Sequence, residues 1–165
     1  MERIASKLDH ESKWVVQSAI IAIGRLKDKV DVEIVERIAN KLDDEDNDIV
    51  CTAMKSLGRL EDKVGVEIVE RIASKLDDED KWVIQSAIEA LGRLEDKVGV
   101  EIVERIASKL EGEDDFIDSL AIEALEKLKD KVGVEIMRKL VSIKTKCSYN
   151  LLKIMYQDGK LEYLK

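Results

Sequence analysis

Side chains with catalytic potential are few in this chain of 165 residues. His10 is the only histidine, so a Ser–His pair, a Cys–His pair or a paired-histidine metal site would each depend on that one residue. It lies in an acidic stretch, where we expect a solvated loop. Glycine-rich phosphate loops are absent, because the recurring Leu-Gly-Arg fits the end of a helix. The sequence therefore predicts no catalytic residues, no metal site and no cofactor.

Three acidic runs have two interpretations. They span Asp43–Asp46, Asp77–Asp80 and Glu113–Asp115, and could form a ridge for calcium or a polycation. The calcium-loop pattern fails between Asp44 and Asp48, since the turn glycine and the closing glutamate are missing. Carboxylates just before a helix also cap it and interact favourably with its positive end. We favour this structural role.

The sharpest candidate for a binding surface is the helix predicted from Lys81 to Leu94. At about 100° per residue, Ala87 and Leu91 face the core, whereas Trp82 falls on the opposite side. Large aromatic side chains on a polar helix face often anchor a protein partner. The alternative is that a tryptophan in the first turn lies flat on the preceding loop or repeat. With the equivalent positions of neighbouring helices included, the predicted partner-binding residues are Trp14, Gln17, Ile21, Trp82, Gln85, Glu89, Arg93 and Phe116.

These positions recur because the chain is repetitive. The segment from Leu57 to Asp80 returns at Leu91 to Asp114 with 22 of 24 residues unchanged, a shift of 34 positions. A fixed period of this length is typical of a repeat array, in which each unit buries its apolar face by stacking on its neighbours.

Each repeat predicts two helices. In the third repeat, Asp62 is the expected N-cap of the first helix. The apolar residues of that helix recur at spacings of three and four: Val64, Ile68, Val69, Ile72, Ala73 and Leu76. The second helix has its own apolar stripe of Val83, Ile84, Ala87, Ile88, Leu91 and Leu94. Short loops between such helices favour antiparallel neighbours.

Two other repeat families fail on particular residues. Tetratricopeptide repeats share the 34-residue period, but they need small residues twelve apart and a closing proline. Here Glu104 stands twelve residues after Gly92, and the chain has no proline. Ankyrin repeats need a Thr-Pro-Leu-His motif, which also requires proline.

The second helices resemble HEAT-like repeats of the phycobilisome-lyase type, over about residues 1–140. That family has an acidic loop, an opening valine, small and apolar residues, then Ala-Leu-Gly and a basic residue. The matching residues here are Asp80, Val83, Ile84, Ala87, Ala90, Leu91, Gly92 and Arg93. An arginine usually follows the first valine, but this chain has Val16, Val50, Ile84 and Asp118 there. The departure puts the stacked Asp–Arg ladder of many relatives in question.

The resemblance implies an all-α fold, a right-handed α-α superhelix of about 4.5 HEAT-like repeats with a C-terminal cap helix. In such solenoids the second helices conventionally line the concave, partner-binding face. We therefore predict a non-enzymatic scaffold or adaptor that binds a protein on that face. The resemblance also implies an alternative, an accessory protein of the lyase type that holds a tetrapyrrole or another flat ligand.

The predicted boundaries follow the repeat phase within a single domain. The repeats fall at about 1–27, 28–61, 62–95 and 96–129, followed by a half-repeat and cap helix at 130–165. The fourth repeat departs from the pattern of the others. Asp118 occupies a position that is apolar in the other repeats, and Glu126 occupies one where they have glycine. Ser148 is the expected N-cap of the last helix.

The charge pattern excludes some classes of partner. The net charge is −8, yet eight basic and three acidic residues from Lys131 onward leave −13 on the first 130 residues. An acidic body disfavours nucleic acid, whose phosphates supply most of the affinity for basic proteins. We expect the basic tail to contact its own acidic body or a second copy. Self-association through the N-terminal repeat is a further expectation, suggested by the apolar Ile21.

The remaining composition bears on location. No apolar run approaches the length of a membrane span, and the first ten residues do not read as a secretory signal. Cys51 and Cys147 lie far apart without metal-ligand partners, which favours the reducing cytoplasm. Abundant Glu, Lys and Arg are in line with a heat-adapted source.

Overall fold

A computed structural model describes residues 1–111 and 114–142. The described residues fall into two compact units, Met1–Lys97 and those from Val98 onward. Every regular element in the described ranges is helical. The first unit contains α1 (Glu2–Ala5), α2 (Lys13–Gly24), α3 (Val32–Ala39), α4 (Asn47–Leu60), α5 (Val66–Ser74) and α6 (Lys81–Leu91). The second contains α7 (Val100–Ser108), α8 (Asp115–Lys127) and α9 (Val134–Ser142). The predicted cap helix and its N-cap Ser148 lie outside the described residues.

The helices of the first unit form pairs whose apolar faces are buried together. A shorter first helix precedes a longer second one, and α4 packs against both α2 and α6. In α5 the buried residues are Ile68, Val69, Ile72 and Ala73. In α6 they include Val83, Ala87, Ile88 and Leu91. These are the apolar columns read from the sequence, except that Ile84 is only half-buried.

Glycine allows the second helices to approach closely. A Cβ placed on Gly58 in α4 would lie 3.0 Å from the Cα of Ala90 in α6. A Cβ on Gly24 in α2 would lie 2.9 Å from the Cβ and Oγ of Ser56 in α4. Both glycines are therefore packing residues at contacts between second helices.

One predicted helix start is wrong. Asp62 does not cap α5, because Glu61–Lys63 form a short 3-10 turn and the N-cap is Gly65. Val64, predicted to be the first apolar residue of that helix, lies before it and is buried. Burial of Val64 in the connection thus delays the helix by one turn.

Arginine side chains of the first helices join successive repeats. Arg37 in α3 donates to the carbonyl of Ala5 at 3.0 Å and to the carboxylate of Asp9 at 2.6 Å. Arg71 in α5 makes the same pair of contacts one repeat later. An Asp–Arg ladder is therefore present, but it runs along the first helices.

In the second unit, helix α8 has a second-helix position at which the repeat pattern is broken. Ile117, Ala121, Ile122, Ala124 and Leu125 of α8 are buried. Asp118 takes the place of an apolar residue, and its Oδ1 is buried without a hydrogen-bond partner. Burial is the main reason that the pKa of Asp118 is raised, and the neighbouring carboxylates of Asp115 and Asp114 add to it.

A candidate protein-interaction face on the second helices

Two tryptophans stand out on the second helices of the first unit. Trp14 lies in the first turn of α2 and Trp82 in the first turn of α6, and they are 69% and 70% exposed. This exposure argues against the alternative that the rings are flattened on a preceding loop. The equivalent residue of α4, between the two helices, is the exposed Asp48. The outward side of this row therefore presents an aromatic, an acidic and an aromatic side chain in turn.

The other predicted contact residues of this unit lie further along the same helices. Gln17 and Ile21 of α2 are half-buried, as are Gln85 and Glu89 of α6. Arg93, just beyond α6, is exposed and donates to Glu89 at 2.9 Å. This ion pair joins two predicted partner contacts to each other. We call the outward side of α2, α4 and α6 the second-helix face.

Phe116 is described separately because it belongs to the second unit. It lies in the first turn of α8, is 57% exposed, and its backbone N–H donates to Asp114 Oδ1. It thus has the same position in its helix as Trp82 has in α6.

The N-cap aspartates use both of their oxygens. Asp46 accepts the backbone N–H of Asp48 and lies 3.1 Å from Lys13 Nζ. Asp80 accepts the backbone N–H of Trp82 at 2.7 Å and the side-chain amide of Asn47 at 2.9 Å. The hydrogen bond from Lys13 lowers the pKa of Asp46, and that from Asn47 lowers the pKa of Asp80. These contacts support the capping role expected for the acidic runs.

Lys13 also contacts an aromatic ring. Its Nζ lies 5.7 Å from the centroid of the Trp14 ring and 3.5 Å from Asp48 Oδ2. The pKa of Lys13 is raised, chiefly by its hydrogen bond to Asp46. An ammonium held by carboxylates beside an indole is therefore already present in this unit.

Two open grooves lie between successive acidic loops. The first, of about 510 Å³, is lined by Asp9, His10, Glu11, Lys13, Val16, Lys41, Asp44, Glu45, Asp46 and Ile49. The second, of about 610 Å³, is lined by Asn47, Asp77, Asp78, Glu79 and Asp80. Trp14 follows a lining residue of the first groove, and Trp82 is hydrogen-bonded to one of the second. Both tryptophans therefore lie beside acidic grooves.

Carboxylates are in excess at the tryptophan ends of the second helices. Glu11, Glu45 and Glu79 at these ends have no ion-pair partner within the described ranges. The opposite ends are mixed in charge, because Arg25, Lys55 and Arg59 are accompanied there by acidic residues such as Glu61 and Asp62.

Sequence reasoning did not find the cross-repeat contacts at this site. Lys13 and Asp46 are 33 positions apart, as are Asn47 and Asp80. The period of 34 contains the signal, because a residue just before a second helix then comes close to the N-cap of the next repeat. Which of these residues would be paired could not be read from spacing alone.

Two other classes of site are absent from the described residues. No group of His, Cys, Asp and Glu side chains in residues 1–111 and 114–142 is arranged to hold a metal ion. In the same part of the chain, no helix combines the length and apolar character of a membrane span.

Comparison with known proteins identifies the fold. No family model matches the sequence, and no curated protein matches it. The structure is similar to one of the complex of CpcE and CpcF of phycocyanin lyase from Nostoc sp. PCC7120, with a TM-score of 0.74 and 16% identity. That match covers 94% of this chain and 64% of the other, so this chain spans less than two thirds of its length.

Two further solved structures have the same kind of fold. A designed armadillo repeat protein in complex with the peptide (KR)4 matches with a TM-score of 0.67 and 15% identity, over 93% of this chain and 79% of the other. Cex1p matches with a TM-score of 0.69 and 14% identity, over 98% and 36%. The prediction of an all-α HEAT-like helical repeat fold is confirmed.

Proposed function

We propose that this protein is a non-enzymatic scaffold that binds a protein partner on its second-helix face. The observation that carries the proposal is the exposure of Trp14 and Trp82 on one unit, at 69% and 70%. Tryptophan is among the residues most enriched in the hot spots of protein interfaces. It is highly buried on average in soluble proteins, so two exposed rings on one unit support a contact role. Gln17, Gln85 and Arg93 supply polar contacts beside the anchors, and Ile21 and Glu89 complete the contact set.

The helical scaffold explains how such a face would bind. The backbone of α2, α4 and α6 is fixed by burial of their opposite sides, so little ordering is needed when a partner arrives. The two tryptophans are two repeats apart, roughly 20 Å at about 10 Å per helix layer. A partner must therefore be long enough to span both.

Similar folds give this proposal indirect support. The CpcE–CpcF structure is a complex of two proteins, and the designed armadillo structure contains a peptide. Phe116 extends the proposal to the second unit as a separate aromatic contact. We also propose self-association through the N-terminal repeat or the basic tail, and a cytoplasmic location.

A flat tetrapyrrole ligand is the weaker candidate. Tetrapyrroles carry carboxylates, and the grooves beside the tryptophans are themselves lined by Asp and Glu. Repulsion between like charges opposes such a ligand there. We therefore keep protein binding as the proposed function.

Affinity capture from the source organism with quantitative mass spectrometry tests the proposal. The test variant is Trp14→Ala with Trp82→Ala, and the matched control is Val32→Ala with Val66→Ala. These valines are 64% and 61% exposed and lie on the first helices α3 and α5. We expect a partner that the control retains and the test variant loses. If every captured protein remained on the test variant, the tryptophans would not be anchors.

A further inference from the structure

The inference concerns the chemistry of the partner and rests on the proposed function. We infer that the segment bound across Trp14 and Trp82 is an extended polypeptide carrying lysine or arginine. It would cross the tryptophan ends of α2, α4 and α6 and place basic side chains beside the indoles, towards the two acidic grooves.

The tryptophan end of the second-helix face is acidic beyond the needs of helix capping. Asp46 and Asp80 serve as caps, and each full negative charge exceeds the roughly half positive charge of a helix N-terminus. Glu11, Glu45 and Glu79 stand beside them without ion pairs in the described residues. The first unit as a whole has 16 basic and 23 acidic residues, a net charge of −7. A cationic segment is the complementary occupant.

The first groove shows how an ammonium is held at this edge. Lys13 Nζ lies between Asp46 at 3.1 Å and Asp48 at 3.5 Å, with the Trp14 ring at 5.7 Å. Carboxylates supply charge-assisted hydrogen bonds, and the indole face attracts the cation. Lys13 occupies these contacts, so a partner's lysine or arginine would meet the carboxylates of Glu11 and Glu45, which line the same groove without an ion pair in the described residues.

The second groove has a neutral side chain at the position equivalent to Lys13. This residue is Asn47, whose amide donates to Asp80 at 2.9 Å. Lys81 precedes Trp82 as Lys13 precedes Trp14, and the Trp82 ring is exposed. Glu79 lines this groove without an ion pair in the described residues, so it is the carboxylate that an incoming basic side chain would meet there.

The spacing of the repeats favours an extended segment. Helix layers are about 10 Å apart, and an extended chain advances about 3.3 Å per residue, so a basic residue at every third position stays in register. Gln17 and Gln85 lie one turn further along α2 and α6. Their amides each contain a donor and an acceptor, which suits the backbone of an extended chain.

The two tryptophans make the inference measurable, because the chain contains no others. A peptide of about four Lys-Gly-Ser triplets, matched to this register, is titrated against the full chain and the two indole N–H signals are followed by NMR. Matched peptides carry Gln or Glu in place of Lys. We expect saturable shifts of both signals with the lysine peptide, weaker at high salt, and much smaller shifts with the other two. Equal shifts with the glutamine peptide would overturn the inference.

Charge-neutralising variants separate local recognition from general attraction. Glu45→Gln with Glu79→Gln removes two charges at the grooves, and Glu67→Gln with Glu70→Gln removes two from exposed positions of the first helix α5. We expect the groove variant to weaken lysine-peptide binding about two- to fivefold per residue, the range of exposed ion pairs. The α5 variant should change binding less than twofold. Equal weakening by both variants would leave only non-specific attraction and contradict the inference.

The outcomes also distinguish this inference from the proposed function. If the glutamine or glutamate peptide shifted the indole signals and the lysine peptide did not, the face would still bind polypeptide and only the basic partner would be wrong. If Trp14→Ala with Trp82→Ala also kept every captured partner, the proposed function itself would fail.

Discussion

Arg71 in α5 reaches Asp43 of the preceding repeat, 28 positions earlier in the chain, with a donor–acceptor distance of 2.7 Å. The same guanidinium donates to the carbonyl of Ala39, at the end of α3, at 2.9 Å. One side chain therefore satisfies a helix C-terminal carbonyl and pairs with a carboxylate. Polar contacts at its edge, as well as apolar burial, therefore stabilise the interface between repeats.

Removal of this contact should weaken the stack. We expect Arg71→Ala to lower the free energy of unfolding by about 1–2 kcal/mol, between an exposed ion pair and a charged hydrogen bond. Arg3 is the matched control, since it occupies the same position of its repeat but its side chain makes no hydrogen bond or ion pair within the described residues. Arg3→Ala should change stability by less than about 0.5 kcal/mol. Urea unfolding followed by circular dichroism measures both, and equal losses would show that the contact with Asp43 contributes nothing.

Gly58→Ala should destabilise the first unit although alanine is the better helix former. The new methyl would meet the Cα of Ala90 at 3.0 Å and its carbonyl oxygen at 3.3 Å, and a backbone atom cannot rotate away. Overpacking costs about 1–3 kcal/mol, against a helix-propensity gain of about 1 kcal/mol.

The control for this substitution is Lys55→Ala, at an exposed position of the same helix. It should leave the thermal midpoint within a few degrees of the wild type. A Gly58→Ala variant as stable as this control would mean that α4 and α6 can move apart at little cost.

The sequence predicts the core better than it predicts the connections. Ile72 and Leu91 repeat at helical spacing, and such periodicity follows from local geometry, so both were expected to be buried and are. The start of α5 at Val66 was missed because burial of Val64, a tertiary effect, prevails over the capping preference of Asp62.

At the candidate site, too, the sequence predicts what local helix geometry determines and misses what contacts between repeats determine. Helical phase placed Trp82 on the outward side of α6, where the structure has it. Arg71, a polar residue of α5, is by contrast half-buried against the preceding repeat. Phase within one helix cannot show what the neighbouring repeat presents. Lys13 and Asp46 belong to neighbouring repeats, so their pairing could not be predicted from one helix either.

Asp118→Asn should stabilise the second unit at neutral pH. The pKa of Asp118 is raised from its ordinary value of 3.8 by burial, and then by Asp115 and Asp114. A raised pKa in the folded state means that the folded protein favours the protonated carboxyl. The free energy of unfolding is therefore highest below the ordinary pKa, and it falls as pH rises through the pKa of the folded state. The uncharged amide should recover up to about 1 kcal/mol at pH 7.

The pH dependence of the stability gain tests whether it comes from the ionisation of Asp118. The difference in melting temperature between Asp118→Asn and the wild type should shrink as pH falls, because the Asp118 carboxyl, with its raised pKa, then becomes protonated in the folded state. Glu123→Gln is the control with the opposite sign, because this exposed carboxylate of α8 pairs with Lys127 at 2.9 Å and does not act on Asp118. A difference that did not vary with pH would exclude the ionisation of Asp118 as its cause.

Cys51 provides a chemical probe of the second-helix face. It is half-buried in α4, at the position equivalent to Gln17 and Gln85. Burial raises the pKa of the Cys51 thiol above its ordinary value of 9.0, although a hydrogen bond with Ser86 and the charge of Lys55 oppose the shift. Only the thiolate reacts with alkylating reagents. In a Cys147→Ser background, we therefore expect iodoacetamide to modify folded Cys51 more slowly at neutral pH than the urea-unfolded chain, with a rate that keeps rising at higher pH.

Two comparisons make this probe informative about binding. Lys55→Gln removes a charge that favours the thiolate, so it should slow the reaction without disturbing the core, because Lys55 is exposed. A segment lying across α2, α4 and α6 should cover Cys51, so the lysine peptide should protect it and the glutamate peptide should not. Modification of the folded chain as fast as the unfolded one would contradict the burial of Cys51. If saturating lysine peptide left the rate of Cys51 modification equal to that of the folded chain without peptide, the bound segment would not cross α4.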